Sequence, residues 1–513
     1  MRKSPKKCAP TPNFVSQNQL VFEGFESPFE KKLNPENRWV VLAKLIPWDE
    51  ICNIYLKVVP KQTTGRPGLS PRVVLGATII KHLCDIDDRE TVNQISENIY
   101  MQHFLGYSSF SDEPPFDPSL FVTFRKHLSM DVVNKITEKI IAIKTKFEED
   151  KNSSKDDSDS PNGNENLNKG TAIMDATACP QDIAYPTDLN LINDAREKSE
   201  MLIDILYIKE LHGKKPRTYR EKARTIYLHT AQKKCKTTKV VRKGVGQQLR
   251  YLKRNIGHIN DLLDKYNMVP LKGNDLKYLY VIQTLYEQQQ GMFDTKTKKT
   301  DNRITSIHQP HIRPIVRGKS QAKVEFGAKI HCTMIDGITF LDHLSWDAFN
   351  EGSHLMDYVE QYKNRLGCYP KRLLVDKIYS TRDNRAKLKE KGIELVGKPL
   401  GRPSLAVKID LSPGERPESF ARIGEANPIE GKFGQAKTGY GLDRVKARLQ
   451  DTSESWIASI FLVLNLVKLA GVALHCLVNM IFECLSKYLM HKIGQNKNRC
   501  DLNENHTYEL CLL

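Results

Sequence analysis

The sequence predicts an α/β protein: a mixed sheet with helices on both faces, a large helical insertion after the first strand, and a separate helical module ahead of it. Two short apolar runs, Ala172-Ile173-Met174-Asp175 and Leu373-Leu374-Val375-Asp376, each end abruptly in aspartate, the pattern of buried strands leaving a sheet. Between them, Asp336-Gly337 separates two stretches of alternating apolar and polar residues, Lys323 to Thr333 and Ile338 to Ser345, which is a hairpin signature. Helical patterns over Asn350 to Gly367 and Asp383 to Gly392 alternate with short strands at Arg372 to Asp376 and Ile393 to Val396. An antiparallel hairpin followed by alternating helices and strands gives a mixed sheet.

Taken in order, residues 1–64 hold short apolar clusters, including Trp39-Val40-Val41-Leu42 and Ile46-Pro47-Trp48, without a chemical motif. Ser70-Pro71 pairs an N-cap with proline at the first helical position, and Val73, Val74, Ala77, Ile80, Lys81 and Cys84 continue the helix. Asp87 or Asp88 caps a second helix containing Val92, Ile95 and Ile99. Asp117-Pro118 opens a third, with Phe121 and Phe124 toward a core and Arg125 and Lys126 facing outward. Residues 65–148 therefore read as a helix-turn-helix-like DNA-binding domain whose last helix covers 131–148, although any small helical bundle has a similar pattern. Residues 149–170 are polar and of low complexity and form a linker. The first core strand lies in 171–187, a mostly helical basic insertion in 188–305, the rest of the core in 306–470 and a tail in 471–513. The first insertion helix shows an apolar stripe of Leu189, Ile192, Ala195, Leu202, Ile203 and Leu206.

A formal net charge of +17 across 513 residues and a pI near 9.2 point to a polyanionic partner. The charge is concentrated: Lys209 to Arg254 carries sixteen Lys and Arg against Glu210 and Glu221, with Tyr219, Tyr227 and Tyr251 interleaved. A solvated helical face usually mixes its charges, so this nearly single-signed one is assigned to phosphate contact. The loop around His308-Gln309-Pro310-His311 adds Arg313 and Arg317; two histidines at that spacing lack a third ligand and read as structural or DNA-contacting rather than zinc-binding. Eleven scattered cysteines form no CxxC pair and read as reduced thiols. No apolar run of signal-peptide length follows MRKSPKKC, so export is not expected. Trp456 to Leu485 is apolar, but Asn465, Lys468, His475, Asn479 and Glu483 interrupt it, and a buried helix pair is the expectation.

The stretch Asn427 to Leu449 reads as a charged helix with one isolated carboxylate, Glu430, and Lys437 two turns along on the same face. Lys432, Arg444, Lys446 and Arg448 surround it with positive charge. An acid amid bases suits a metal ligand beside a polyanion, and the two strand-end aspartates are its natural partners. Asp336 is the rival second carboxylate, but its place in the hairpin turn argues against it. Each acid also has an ordinary structural reading: Asp175 as a strand-end cap, Asp376 as a helix N-cap, Glu430 as a surface acid.

Several strings resemble the DDE transposases of bacterial insertion sequences, of the insertion-sequence four/five superfamily. They are Asp175-Ala176-Thr177 with Tyr185-Pro186-Thr187-Asp188-Leu189, Ser306-Ile307-His308-Gln309-Pro310, Val324-Glu325-Phe326-Gly327-Ala328-Lys329, Asp376-Lys377-Ile378-Tyr379-Ser380-Thr381-Arg382 and Asn427-Pro428-Ile429-Glu430-Gly431-Lys432-Phe433-Gly434. The segment Gly65 to Leu128 also looks like the N-terminal domain of these enzymes. The resemblance implies a ribonuclease-H-like core in which Asp175, Asp376 and Glu430 are the catalytic acids and hold two Mg2+ ions, Mn2+ substituting. It makes Lys437 the lysine of the family's Glu-x6-Lys signature. Ala426 stands where relatives often have arginine four residues before the glutamate, and Arg422 is the nearest one upstream. Lys437, Lys432, Arg444, Arg422, Arg313, Arg317, Arg125 and Lys126 are the expected DNA contacts. The implied activity is cleavage at terminal inverted repeats and strand transfer by a homodimer or larger assembly on paired ends, in the bacterial cytoplasm at the nucleoid, without a membrane. A ribonuclease-H-like nuclease lacking strand transfer, which would need no end-binding domain, and a domesticated DNA-binding protein, which would lose an acid, are the alternatives.

Overall fold

The computed structural model describes residues 32–60, 68–152, 168–316, 324–396 and 427–471. The chain divides into two compact units, one of residues 1–121, 131–165 and 461–513, the other of 122–130 and 166–460.

Helices dominate the first unit: α1 (Arg38–Leu45), α2 (Trp48–Leu56), α3 (Pro71–Cys84), α4 (Asp88–Glu97), α5 (Ile99–Leu105) and most of α7 (Met130–Asn152), with α6 (Leu120–His127) starting in it. Asp87 is the cap of α4, accepting from the Glu90 amide, and Pro71 opens α3. Ile99 begins a separate helix because Asn98 ends α4 in extended geometry and caps α5. Trp39 and Trp48 pack on Phe104, with ring centroids 5.3 and 5.2 Å apart. Two cations lie in this core. Arg72, only 4% exposed, donates from Nε and Nη2 to the Phe104 carbonyl, and burial lowers its pKa to about 10. Lys81 Nζ donates to the Ile86 carbonyl and pairs with Asp88 at 2.9 Å. The expected linker begins later than its composition suggests, since α7 runs on to Asn152; residues 153–167 lie outside the described residues.

The second unit is built on a six-stranded mixed sheet: β1 (Thr171–Pro180), β2 (Arg313–Val316), β3 (Val324–Ile335), β4 (Ile338–Ser345), β5 (Arg372–Val375) and β6 (Glu394–Val396). The order is β2-β3-β1-β5-β6, with β4 also pairing with β3. Strands β2, β3 and β4 run antiparallel to their neighbours, whereas β1, β5 and β6 are mutually parallel. The hairpin forms as its sequence dictates: Asp336 and Gly337 take φ of +50° and +80°, the left-handed pair that a two-residue turn between twisted strands requires. From Ala328 to Ile335, every residue of β3 but Lys329 is buried, so both faces of the sheet are covered.

Three expectations change here. The run ending at Asp175 is not a whole strand: β1 continues to Pro180 because its antiparallel pairing with β3 outlasts its parallel pairing with β5. The loop carrying Arg313 becomes the edge strand β2, with Pro314 in it; a proline is tolerated at an edge because no second neighbour needs its missing donor. Arg125 does not face outward but is 7% exposed, with its guanidinium 5.6 Å from the Trp456 ring centre. Lys126 is exposed, as expected.

Between β1 and β2 come α8 (Asp188–Leu206), α9 (Lys209–His212), α10 (Arg220–Ala231), α11 (Thr238–Leu263) and α12 (Gly273–Thr295). The six stripe residues of α8 are all buried, packed with Leu249, Leu252 and Ile259 of α11 and Ile282 and Leu285 of α12. After β4 follow a 3-10 turn (Glu351–His354), α13 (Leu355–Leu366), β5, a second 3-10 turn (Lys377–Tyr379), α14 (Arg382–Glu390), β6 and α15 (Asn427–Tyr440). The last described helix, α16 (Gln450–Gly471), is long and apolar enough to cross a membrane, yet 72% of its most apolar window is buried. The partner expected for it in a helix pair lies outside the described residues.

Gly327 of β3 lies against the β1 backbone: a Cβ there would lie 2.0 Å from the Cys179 carbonyl oxygen. Gly327→Ala is expected to destabilise the protein by about 1–3 kcal/mol, the usual cost of forcing extra volume into packed structure, measurable by urea denaturation.

Candidate active site

The parallel register aligns Met174 with Val375, so Asp175 and Asp376 follow at the same level on neighbouring strands. Asp376 leaves β5 into the second 3-10 turn and caps it, its Oδ1 accepting from the Lys377 amide at 2.6 Å. Asp175 remains in β1, and its Oδ1 accepts from the Ala176 amide at 2.8 Å. Glu430 comes from α15, which packs against β1. Ile429, Phe433, Ala436 and Tyr440 form the buried face of that helix, which leaves Glu430 exposed and Lys437 half-buried two turns along.

These acids share one electrostatic field. Burial, then the charges of Asp376, Glu351 and Glu430, push the Asp175 carboxyl up to about 6, against a bond from the Ala176 amide that favours its ionised form. Glu351 was not singled out in the sequence; only its position after the capping residue Asn350 marks it. It is paired with Lys329 of β3 at 2.7 Å, and Lys329 also donates to the Phe349 carbonyl. The turn beneath Asp376 is packed tightly. Asn384 Nδ2 donates to the carbonyls of Gly352 and Tyr379, and a Cβ on Gly352 would lie 2.4 Å from the Ile378 carbonyl oxygen.

Among the described residues, no three His, Cys, Asp or Glu side chains stand close enough to hold a metal ion. The donor chemistry nonetheless fits a hard divalent cation. Asp175, Asp376 and Glu430 offer oxygen ligands alone, and the repulsion that raises Asp175 is the kind a cation relieves.

The expected DNA contacts are divided. Lys432 and Lys437 share α15 with Glu430, but Arg444, Lys446 and Arg448 do not: α15 ends at Tyr440 and Gly441 turns the chain at φ +70°. Arg444 instead is an exposed side chain on a segment tied to the end of β1, pairing with Asp182 at 2.9 Å beside a bridge between Gln181 and Val445. Arg313 Nη1 donates to the Pro310 and Ile312 carbonyls. Arg317 and Arg422 lie outside the described residues, as does Ala426. In the insertion, Lys233, Lys234, Lys236, Lys243, Arg250 and Lys253 are exposed, whereas Arg220 and Lys215 pair with Asp204 and Arg254 lies over the rings of Tyr219 and Tyr251. One of the resembling strings holds the insertion in place: Thr187 caps α8, and Asp188 pairs with Arg303 at 2.7 Å.

The mixed sheet carries two aspartates level on adjoining parallel strands, a glutamate on a helix against one of them, and basic side chains on the same helix. Residues 27–127 match a transposase domain (DUF772), and residues 373–467 match a transposase DDE domain. Together the two matches support a DDE transposase of insertion sequences. That family acts on DNA and generally uses divalent metal ions. The second match contains Asp376 and Glu430; Asp175 falls between the two. The first match begins within residues 1–64, for which the sequence suggested no role. An uncharacterized protein, ORF8 in the nfe locus of Rhizobium meliloti, is 29% identical over 172 residues, covering 33% of this chain and 73% of that protein. No solved structure matches the chain.

The raised carboxyl has a measurable consequence. Folded Asp175 keeps its proton to about pH 6, whereas an unfolded aspartate releases it near 3.8, so the stabilisation is complete below pH 3.8 and is lost as pH rises through 6. Without metal, Asp175→Asn is expected to be more stable than wild type at pH 7.5, by up to about 3 kcal/mol at ~1.4 kcal/mol per pKa unit. At pH 4 that advantage disappears; urea denaturation at the two pH values checks both.

Proposed function

We propose that this chain binds the terminal inverted repeats of an insertion sequence and catalyses metal-dependent DNA cleavage and strand transfer. The observation that carries the reading is the level placement of Asp175 in β1 and Asp376 at the end of β5, with Glu430 contributing to the field at Asp175, in a chain with a matched DDE domain. The sheet supports a ribonuclease-H-like core, since antiparallel strands on one side of β1 give way to parallel strands on the other. The matched N-terminal domain, with its short capped helices, is the candidate for end recognition, and Lys126 is an exposed base for phosphate contact.

Asp175, Asp376 and Glu430 would hold two divalent cations, Mg2+ or Mn2+, which when bound activate the attacking oxygen and stabilise the leaving oxygen. The acids supply no covalent intermediate. Water attacks the phosphodiester at an element end and frees a 3′ hydroxyl, and that hydroxyl then attacks target DNA. Lys432 and Lys437 place positive charge beside Glu430, and Arg444, tethered by Asp182, extends it along the end of β1. The exposed lysines of the insertion continue the phosphate-binding surface. Paired ends call for two copies or more, acting on nucleoid DNA in the cytoplasm.

The test uses linear DNA bearing the element's own ends, with Mg2+. Wild type is expected to nick at the ends and join them to a target, while Asp376→Asn binds but cuts at least about a thousandfold more slowly. Cutting without joining would replace the reading with a nuclease; binding without cutting by wild type would remove the catalytic assignment.

A further inference from the structure

The loop ahead of β2 gathers cations that the proposed reaction does not use. Its path is fixed by its own residues: Ile307 and Ile312 are buried, the Thr305 hydroxyl donates to the Ile312 carbonyl at 3.0 Å, and the Gln309 amide donates to the Ser306 hydroxyl at 3.3 Å. His308 is exposed and reaches α12, where its Nδ1 and the Tyr278 hydroxyl share a hydrogen bond of 2.8 Å. Lys277 Nζ donates to the His308 carbonyl at 3.3 Å, and Lys198 of α8 places its Nζ 5.1 Å from the centre of the Tyr278 ring. Two helices and a loop thus bring two ammonium groups, a phenol and an imidazole to one place, where the insertion leads into β2.

What separates this group from other cations of the same unit is the lack of acids. Arg220 and Lys215 pair with Asp204, Arg303 with Asp188, Arg313 with Asp347 and Arg444 with Asp182. Among the described residues, Lys198, Lys277 and Arg448 have no ion-pair partner. Arg448, exposed beyond α15, adds its charge at both His308 and Tyr278. Burial, then Lys198, Arg448 and Lys277, lower the His308 pKa, whereas Asp275 is the acid whose charge reaches Tyr278. Like charges gathered without a counter-charge repel one another, and an anion among them relieves that repulsion. His308 is neutral near pH 7, and with Tyr278 donating to its Nδ1 the ring proton is on Nε2, where it donates outward.

We propose that Lys198, Lys277 and His308, with Arg448 beside them, form a fixed site for one backbone phosphate of duplex DNA. This rests on the reading of the chain as a DNA-binding transposase. Exposed lysines spread along the insertion neutralise a polyanion at any register, whereas donors held on packed elements take a phosphate at one position. Such a contact carries no sequence information and sets where the duplex lies relative to the sheet.

The experiment measures binding of the full-length protein to two duplexes, one bearing the element's end and one unrelated, by fluorescence anisotropy over a range of NaCl. Lys198→Gln with Lys277→Gln is compared with wild type, with Arg448→Gln, and with a control of equal charge change, Lys387→Gln with Lys389→Gln on exposed positions of α14. At fixed salt the double site variant is expected to bind both duplexes about tenfold more weakly, the worth of one charged hydrogen bond. Its slope of log affinity against log salt becomes shallower by about 1, as for the loss of one phosphate contact. Arg448→Gln moves both quantities in the same direction, and the control keeps wild-type values. Wild-type affinity and slope in both site variants overturn the inference and leave the DNA-binding reading standing. Equal losses in the control overturn it too, since net charge alone then accounts for them, and loss on one duplex only shows a base contact instead. If the double variant does not fold, Arg448→Gln decides, because its side chain makes no hydrogen bond or ion pair among the described residues: a wild-type slope there overturns the inference. Failure of wild type to bind either duplex overturns the DNA-binding reading and the inference with it.

Discussion

Two carboxylates stand side by side because two parallel strands end together, and everything near the site answers to the repulsion this creates. The register of β1 with β5 sets the level of Asp175 and Asp376. Backbone amides of Ala176 and Lys377 each take up part of the charge, Lys329 neutralises Glu351, and Glu430 stays on the exposed side of its helix. What charge is left uncompensated falls on Asp175, the most buried of the three, and raises it. Repulsion of this kind is what a bound cation relieves.

Much of this was legible in the sequence where local rules decide. Asp336-Gly337 gave a hairpin because few other pairs accept two left-handed residues, and the end of α13 fell at Gly367, with φ +78°, for the same reason. The two apolar runs are parts of strands β1 and β5, although β1 outran its apolar pattern and holds Asp175 within it. Thr177 and Cys179 do not look like a continuation, and only pairing with β3 makes them one. The sequence also overextended the Glu430 helix, since Asp443 to Leu449 has helical composition but follows a glycine that turns the chain. Glu351 left no signal because its relation to Asp175 is set by the packing of two distant turns.

Charge was the least transparent property. A net +17 suggests a uniformly basic surface, yet Arg72, Lys81, Arg125 and Arg196 are among the most buried residues of the chain. Arg196 is 1% exposed and is satisfied by Glu200, Gln248 and Asn193 inside the insertion. Such residues spend their donors on carbonyls and neighbouring acids, which burial demands. The charge left for a polyanion is smaller than the formula implies and is concentrated on the insertion and around α15.

The insertion between β1 and β2 has a consequence for the order of events in synthesis. Strand β1 is made early, but its partners β3 and β5 come about 150 and 200 residues later, and Glu430 later still. Closing so long a loop is slow relative to local helix formation, whereas α8 to α12 share a core that is complete by Ile307. At about 5–20 residues per second, a ribosome needs on the order of ten seconds or more to travel from Asp175 to Glu430. Throughout that interval the emerging chain has a folded basic surface and no completed acid cluster, so on the proposed reading affinity for DNA arises before any capacity to break it.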